Sequence, residues 1–184
     1  MSIRIKYEAE LSEVFNKLIR MCRATEIAIE KSVSALVKRN REISAEVIAE
    51  DKYIDGLEHE IEQDCLKILL MEHPVASDFR DVSAALKMIT DLERIADQAS
   101  DISEIALQFG EEEYIKEPEH IAQMAKYAVQ MVKDGVQSYI NRDLELARSL
   151  EKSDDKVDEL FERIKQDLID LIKKDGKNAD QAIL

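Results

Sequence analysis

The chain is poor in everything that interrupts a helix. Its 184 residues include only four glycines and two prolines. Tight-turn β architectures, which consume glycine and proline, are excluded by that shortage. Tryptophan is absent and aromatic residues make up 5% of the chain. Two cysteines, Cys22 and Cys65, stand 43 positions apart, far from the spacing of a zinc or redox motif. They read as small core residues of a reducing, cytoplasmic compartment. The longest aliphatic run, Ile68 to Met71, is far too short to span a bilayer. The N-terminus MSIRIKYEAE has no apolar signal-peptide core. Positive charge is also short: 26 Lys and Arg face 40 Asp and Glu, a formal net charge of −14. Such a surface repels nucleic acid and anionic lipid, so membrane contact is expected only through protein partners.

What remains is a helical composition, with 45% apolar residues and abundant Glu, Lys, Leu, Ile and Ala. Breakers and polarity shifts divide it into five long helices. The first runs from about Tyr7 to Lys38, and Asn40 to Ser44 links it to a second that ends near His73, before Pro74. A third runs from near Val75 to just before Gly110. The acidic link GEEEYIKEPE precedes a fourth helix, about His120 to Ile140, and a fifth, Leu144 to Lys174, with Gly176 fitting a C-terminal cap. Long helices of this kind suit antiparallel bundles.

The chain also repeats. Asp51 to Asp64 lies over Asp154 to Asp167, an offset of 103 residues. Asp51, Asp55, Leu57, Ile61, Gln63 and Asp64 meet Asp154, Asp158, Leu160, Ile164, Gln166 and Asp167, and the same offset pairs Arg39 with Arg142. The fold expected is all-α, two tandem three-helix bundles, with a first unit over residues 1–110 and a second over 111–184. The second unit has its fourth and fifth helices but lacks the sixth, whose start would fall near residue 178. The fifth-helix stripe of Leu150, Val157, Ile164 and Leu171 is then uncovered, forfeiting roughly 1.5–3 kcal/mol per large side chain. Either about 27–35 further residues supply one helix with its own Glu-x-x-x-Asp motif, or another chain covers the stripe in a homodimer or swapped helix.

The segment DLERIADQASDI places Glu93, Asp97 and Asp101 one turn apart on one side of a helix. Spacing alone says little, because forty acids yield roughly nine i,i+4 pairs by chance. Placement says more. At about 100° per residue, Asp51, Asp55 and Glu62 flank the stripe of Val47, Ile54, Ile61, Cys65 and Ile68. Glu93 falls within the stripe of Val82, Leu86, Ile89 and Ala96, and Asp97 lies at its edge. Asp154 and Asp158 stand beside Leu150, Val157 and Ile164. Acids at a core edge need neutralisation, hydrogen bonds or a metal. An all-carboxylate set is a hard oxygen site, suited to Mg, Mn, Ca or Fe. Solvated edge acids are the rival reading.

The three histidines, His59, His73 and His120, supply no ferritin-like pair. The one Glu-x-x-His spacing, Glu117 to His120, is interrupted by Pro118. No nucleophile–base set and no phosphate-binding glycine loop are present, so a catalytic site is poorly supported.

The segment HPVASDFRDVSAALKMITDLERIADQASDI resembles the signature of the PhoU family of phosphate-uptake regulators. The matching residues are Pro74, Ala76, Asp78, Phe79 and Arg80, then Leu92, Glu93, Arg94, Ile95, Ala96 and Asp97. AEVIAEDKYIDGLEHEIE resembles that family's second helix, and the resemblance covers about residues 7 to 175. Ala96 stands where the family usually has Gly, and Asp101 where it usually has Asn. The second Leu-Glu-Arg-Ile-Gly-Asp motif is missing. The resemblance implies a non-enzymatic cytosolic adaptor that couples a phosphate ABC transporter, through its ATPase, to a sensor histidine kinase. It would repress phosphate uptake and the starvation response when phosphate is plentiful. It also implies metal ligands Asp51, Asp55, Glu93, Asp97 and Asp101 in the first unit, and Asp154 and Asp158 in the second, with iron or zinc as the metals. The competing classes are a carboxylate-bridged metalloenzyme and a purely structural helical scaffold.

From the charge alone, the protein should not sediment with anionic liposomes or shift DNA at physiological salt. Co-sedimentation with bare anionic vesicles would contradict that expectation.

Overall fold

The structure, a computed structural model, describes residues 3–72, 74–109 and 113–184. Expected features at His73, Gly110, Glu111 and Glu112 lie outside the described residues. Five long helices are present: α1 (Ile3–Lys38), α2 (Arg41–Met71), α3 (Ala76–Phe109), α4 (Glu119–Asn141) and α5 (Leu144–Lys174). A 3-10 turn, Gly176–Asn178, leads into a short α6 (Ala179–Ile183). Helices α1, α2 and α3 pack on one another as a three-helix bundle, and α5 packs on α4.

The core of the bundle is the apolar stripe of each helix. Val47, Ile54, Ile61, Cys65 and Ile68 of α2 are all buried, as are Val82, Ile89 and Ala96 of α3, with Leu86 half-buried. Leu18 and Met21 of α1 close the third side. A fully buried Ile side chain of this kind contributes about 1.5–3 kcal/mol. On α5 the equivalent residues Leu150, Val157, Ile164 and Leu171 are only half-buried, and Leu160 is buried.

Helix boundaries repeat at the sequence offset. Helices α1 and α4 end at Lys38 and Asn141, and α2 and α5 start at Arg41 and Leu144 and end at Met71 and Lys174. Helices α3 and α6 both start at alanine, Ala76 and Ala179. Every pair is 103 residues apart. The turns match as well. Arg39 and Arg142, also 103 apart, share a left-handed φ of 54° and are the two non-glycine residues with positive φ among those described. Each is followed by a capping side chain. Asn40 accepts from the amides of Glu42 and Ile43, and Asp143 from that of Leu146.

Three local expectations are corrected. The expected link over Asn40 to Ser44 is much shorter, because the Asn40 cap satisfies the first α2 amides and lets the helix start at Arg41. Helix α1 begins at Ile3, a turn before Tyr7, where Arg4 pairs with both Glu8 (2.8 Å) and Asp78 (2.7 Å). Gly176 is not the cap of α5. Asp175 is, with its carboxylate accepting from the Lys177 amide to start the 3-10 turn.

Helix α4 also docks onto the first bundle. Val136 is buried in its core, with Val132, Tyr139 and Ile140 packed alongside. The Tyr139 ring meets Phe15 edge-on at 5.5 Å, its hydroxyl donates to the Asp81 carbonyl at 2.5 Å, and Arg142 pairs with the Asp81 carboxylate at 2.6 Å. Burial raises the Tyr139 hydroxyl pKa well above its ordinary value, so it remains a donor. Replacing Tyr139 by Phe should cost about 0.5–1.5 kcal/mol in chemical denaturation, the net worth of one hydrogen bond, because the Asp81 carbonyl lies within α3 and keeps its helical partner. A cost near zero would show that this bond does not fasten α4.

Candidate metal centre

Helices α2 and α3 run antiparallel, and one cross-helix hydrogen bond marks their register: the Thr90 hydroxyl donates to Glu58 at 3.2 Å. Asp55 stands one turn and Asp51 two turns before Glu58, and Asp97 stands two turns after Thr90. Their carboxylates therefore meet on the outer side of the α2–α3 seam. One oxygen from each of Asp51, Asp55 and Asp97 lies within 4.8 Å of the others. Asp51 is half-buried, while Asp55 and Asp97 are exposed.

Glu93, one turn before Asp97, is half-buried on the same seam. Burial, then Asp97, Glu58, Asp55 and Asp51 in turn, push its pKa up. Burial followed by Asp55, Asp97 and Asp101 raises that of Asp51. Both carboxyls thus resist ionisation because they share a partly desolvated space with like charges. Among the described residues, no lysine, arginine or histidine forms an ion pair with any of Asp51, Asp55, Glu93, Asp97 or Asp101. Asp101 accepts a bond from Gln98 at 3.3 Å. The donor set is hard, anionic oxygen without an internal counter-charge, which fits a divalent or trivalent cation of the Mg, Mn, Ca or Fe type. No histidine joins it: His59 is exposed and bonded to Gln63 at 2.8 Å.

The structure thus brings Asp51, Asp55 and Asp97 together and sets Glu93 and Asp101 within electrostatic reach. Asp154 and Asp158 are not brought into any such group. They are exposed on α5, and no group of three potential ligands forms around them among the described residues. Glu58 is a further acid on the seam that sequence reasoning missed. Its signal is the spacing Asp51, Asp55, Glu58, which continues the same face of α2 by one more turn.

Long helices packed as a bundle, with an acidic seam between two of them, define an all-α class of helical-bundle proteins. The comparisons narrow the class. The family model for the PhoU domain matches residues 18–106 and 121–184. A phosphate-specific transport system accessory protein PhoU homolog from Aquifex aeolicus is 35% identical over 97% of this chain and 81% of its own length. Another of the same description, from Clostridium acetobutylicum, is 31% identical over 95% of this chain and 80% of its own length. The crystal structure of PhoU from Pseudomonas aeruginosa superimposes with a TM-score of 0.91 at 26% identity, covering 96% of this chain and 85% of that one. The chain belongs to the PhoU family.

The cluster makes a signed prediction. A carboxyl whose folded pKa is raised destabilises the fold once ionised. That penalty is absent below the ordinary carboxylate value of about 3.9 and grows as pH rises through the raised one. In chelator-treated protein, Asp51→Asn should therefore be more stable than wild type at pH 7, by about 0.5 kcal/mol, and the gap should close near pH 3. Saturating divalent cation should raise the wild-type Tm by about 5–10 °C. It should do little for Asp97→Asn combined with Glu93→Gln. Equal cation response in both chains, at unchanged helicity, would remove the site.

Proposed function

We propose that this chain is a non-enzymatic accessory protein of a phosphate-specific transport system. It acts in the cytoplasm as an adaptor between the transporter ATPase and a sensor histidine kinase. In that role it restrains phosphate uptake and the starvation response when phosphate is abundant. The observation that carries the reading is the family match over both helical units, 18–106 and 121–184, to relatives named as accessory proteins of phosphate transport. One further feature supports it. Among the described residues, no helix is long and apolar enough to cross a membrane, so attachment to a membrane transporter would run through protein contacts.

The metal belongs to the same reading. Asp51, Asp55 and Asp97, with Glu93 beside them, would hold a hard cation on the α2–α3 seam. The cation would offset the repulsion that these carboxylates impose on one another. Its role is structural and regulatory: it sets the charge of one helix face that a partner meets. The half-buried stripe of α5 fits a homodimer, in which a second copy covers Leu150, Val157, Ile164 and Leu171.

The deciding experiment is a binding assay between this protein and the ATPase subunit of the cognate phosphate transporter, with the cytosolic domain of the sensor kinase as second bait. Retention of both, with no hydrolase or oxidase activity in the purified protein, is the expected outcome. Failure to bind either would overturn the adaptor reading.

A further inference from the structure

The hairpin tip between α2 and α3 carries an apolar patch. Leu66, Leu70, Met71, Val75 and Phe79 are exposed at 46, 73, 64, 65 and 52%. Leu66 and Leu70 lie one turn apart on α2, and Val75 and Phe79 stand at the same spacing across the turn. Counting toward the turn from the Glu58–Thr90 bond brings Leu70 and Phe79 to the same level of the antiparallel pair. Exposed leucines scattered singly need no explanation, but five large apolar side chains within 14 residues form a patch. Residues 66–80 are also neutral, with Lys67 and Arg80 against Glu72 and Asp78, in a chain of net charge −14.

The duplicated half provides an internal control. At the 103-residue offset, Leu66, Leu70, Met71, Val75 and Phe79 correspond to Ile169, Lys173, Lys174, Asn178 and Ala182. The backbone boundaries at these points are conserved between the halves, Met71 with Lys174 and Ala76 with Ala179. The same pair of helix boundaries is thus built with polar or small residues at four of the five positions, so the turn itself does not require the apolar ones.

Charge specifies the occupant. Around the tip Lys6 pairs with Glu72, Arg4 with Asp78 and Lys67 with Glu10. Arg80 bonds only the Ala76 carbonyl of its own helix, at 3.3 Å, and has no carboxylate partner among the described residues. A two-fold contact of the patch with itself would set two such arginines near each other with no carboxylate between them. We propose that this tip is the docking site for an amphipathic helix of a partner protein. The partner's apolar stripe covers Leu66, Leu70 and Phe79, and an acidic residue on its flank meets Arg80. This deepens the adaptor reading by locating one of its partner contacts.

The test uses a synthetic 18-residue helix with leucines at i, i+3, i+4 spacing and glutamates on both flanks. An acidic peptide has no general electrostatic reason to approach this protein, so its binding reports the patch. Fluorescence anisotropy should show binding by wild type and a loss of about tenfold or more in Leu70→Ser with Phe79→Ser. Arg80→Gln should weaken binding severalfold, and Ile169→Ser should leave it unchanged. Circular dichroism confirms that each variant is folded. Equal binding by all chains would overturn the proposal. So would a dimer, or retention on lipid vesicles, that the Leu70/Phe79 variant abolishes. The transporter ATPase serves as second probe. Its loss by the same variant, but not by Ile169→Ser, supports the site. Equal retention by both overturns this inference and leaves the adaptor reading standing. If wild type fails to bind the ATPase, the adaptor reading falls, and the peptide assay still decides the patch.

Discussion

Everything placed on the α2–α3 seam depends on one packing constraint. Ile54, Leu57, Ile61, Cys65 and Ile68 of α2 must bury against Val82, Ala85, Ile89, Leu92 and Ala96 of α3. Close-packed interiors do not slide by a residue without opening voids or exposing the stripe. Once that register is set, the residues at the stripe edges have no freedom in whom they meet. Asp51 and Asp55 arrive opposite Asp97, and Glu58 opposite Thr90. The hydrophobic contacts thus hold together carboxylates that repel one another, and the raised pKa values of Asp51 and Glu93 record that repulsion. An i,i+4 like-charge pair costs only about 0.2–0.5 kcal/mol. One large buried apolar side chain offsets several such pairs.

Much of this was legible in the chain itself. Periodicity located the five long helices and, on α2, the buried residues Val47, Ile54, Ile61, Cys65 and Ile68, though not Ser44 or Leu57, because an apolar stripe 31 residues long averages out local noise. The 103-residue offset was readable from Asp51 and Asp154 and reappears in the helix boundaries. Ends were harder. Asn40 is an ordinary polar residue until its side chain is seen to cap two amides, and Arg39 gives no hint in its identity that it adopts a left-handed conformation. The acid cluster was readable only as a stripe-edge placement on each helix separately. That Asp97 closes with Asp51 and Asp55, while Glu93 and Asp101 stay outside the triad, depends on the distance and rotation between two helices. Single-helix periodicity contains neither quantity.

The two halves share a backbone plan yet bury their stripes differently. Helix α2 is covered on both sides, by α1 and α3, and its apolar residues are sealed. Helix α5 packs mainly on α4, and its equivalents remain half open. Meanwhile α4 spends part of its own apolar surface on the first bundle, through Val136 and Tyr139. This explains why Asp154 and Asp158 do not reproduce the cluster of Asp51 and Asp55. The duplicate acids occupy the same edge of the same kind of helix, but the seam that would gather them needs a third helix face carrying its own acids.

The repeated turn shows how duplicated geometry is put to a new use. A left-handed conformation is a glycine position by default, and an L side chain there costs roughly 1 kcal/mol. Both turns nonetheless carry arginine, and each arginine reaches out of its own unit. Arg39, at the end of α1, lies over the Tyr114 ring in the link to the second unit, 4.3 Å from its centroid. Tyr114 in turn donates its hydroxyl to the Leu36 carbonyl. Arg142, at the end of α4, pairs with Asp81 of α3, where Tyr139 also binds. The clamps are reciprocal: a turn of the first half grips the link, and the matching turn of the second half grips the first bundle. A glycine would relieve the strain at either turn but could not reach across. The strained backbone is therefore retained for a long side chain whose contacts join one helical unit to the other, which keeps the acidic seam and the apolar hairpin tip on a scaffold braced from both halves.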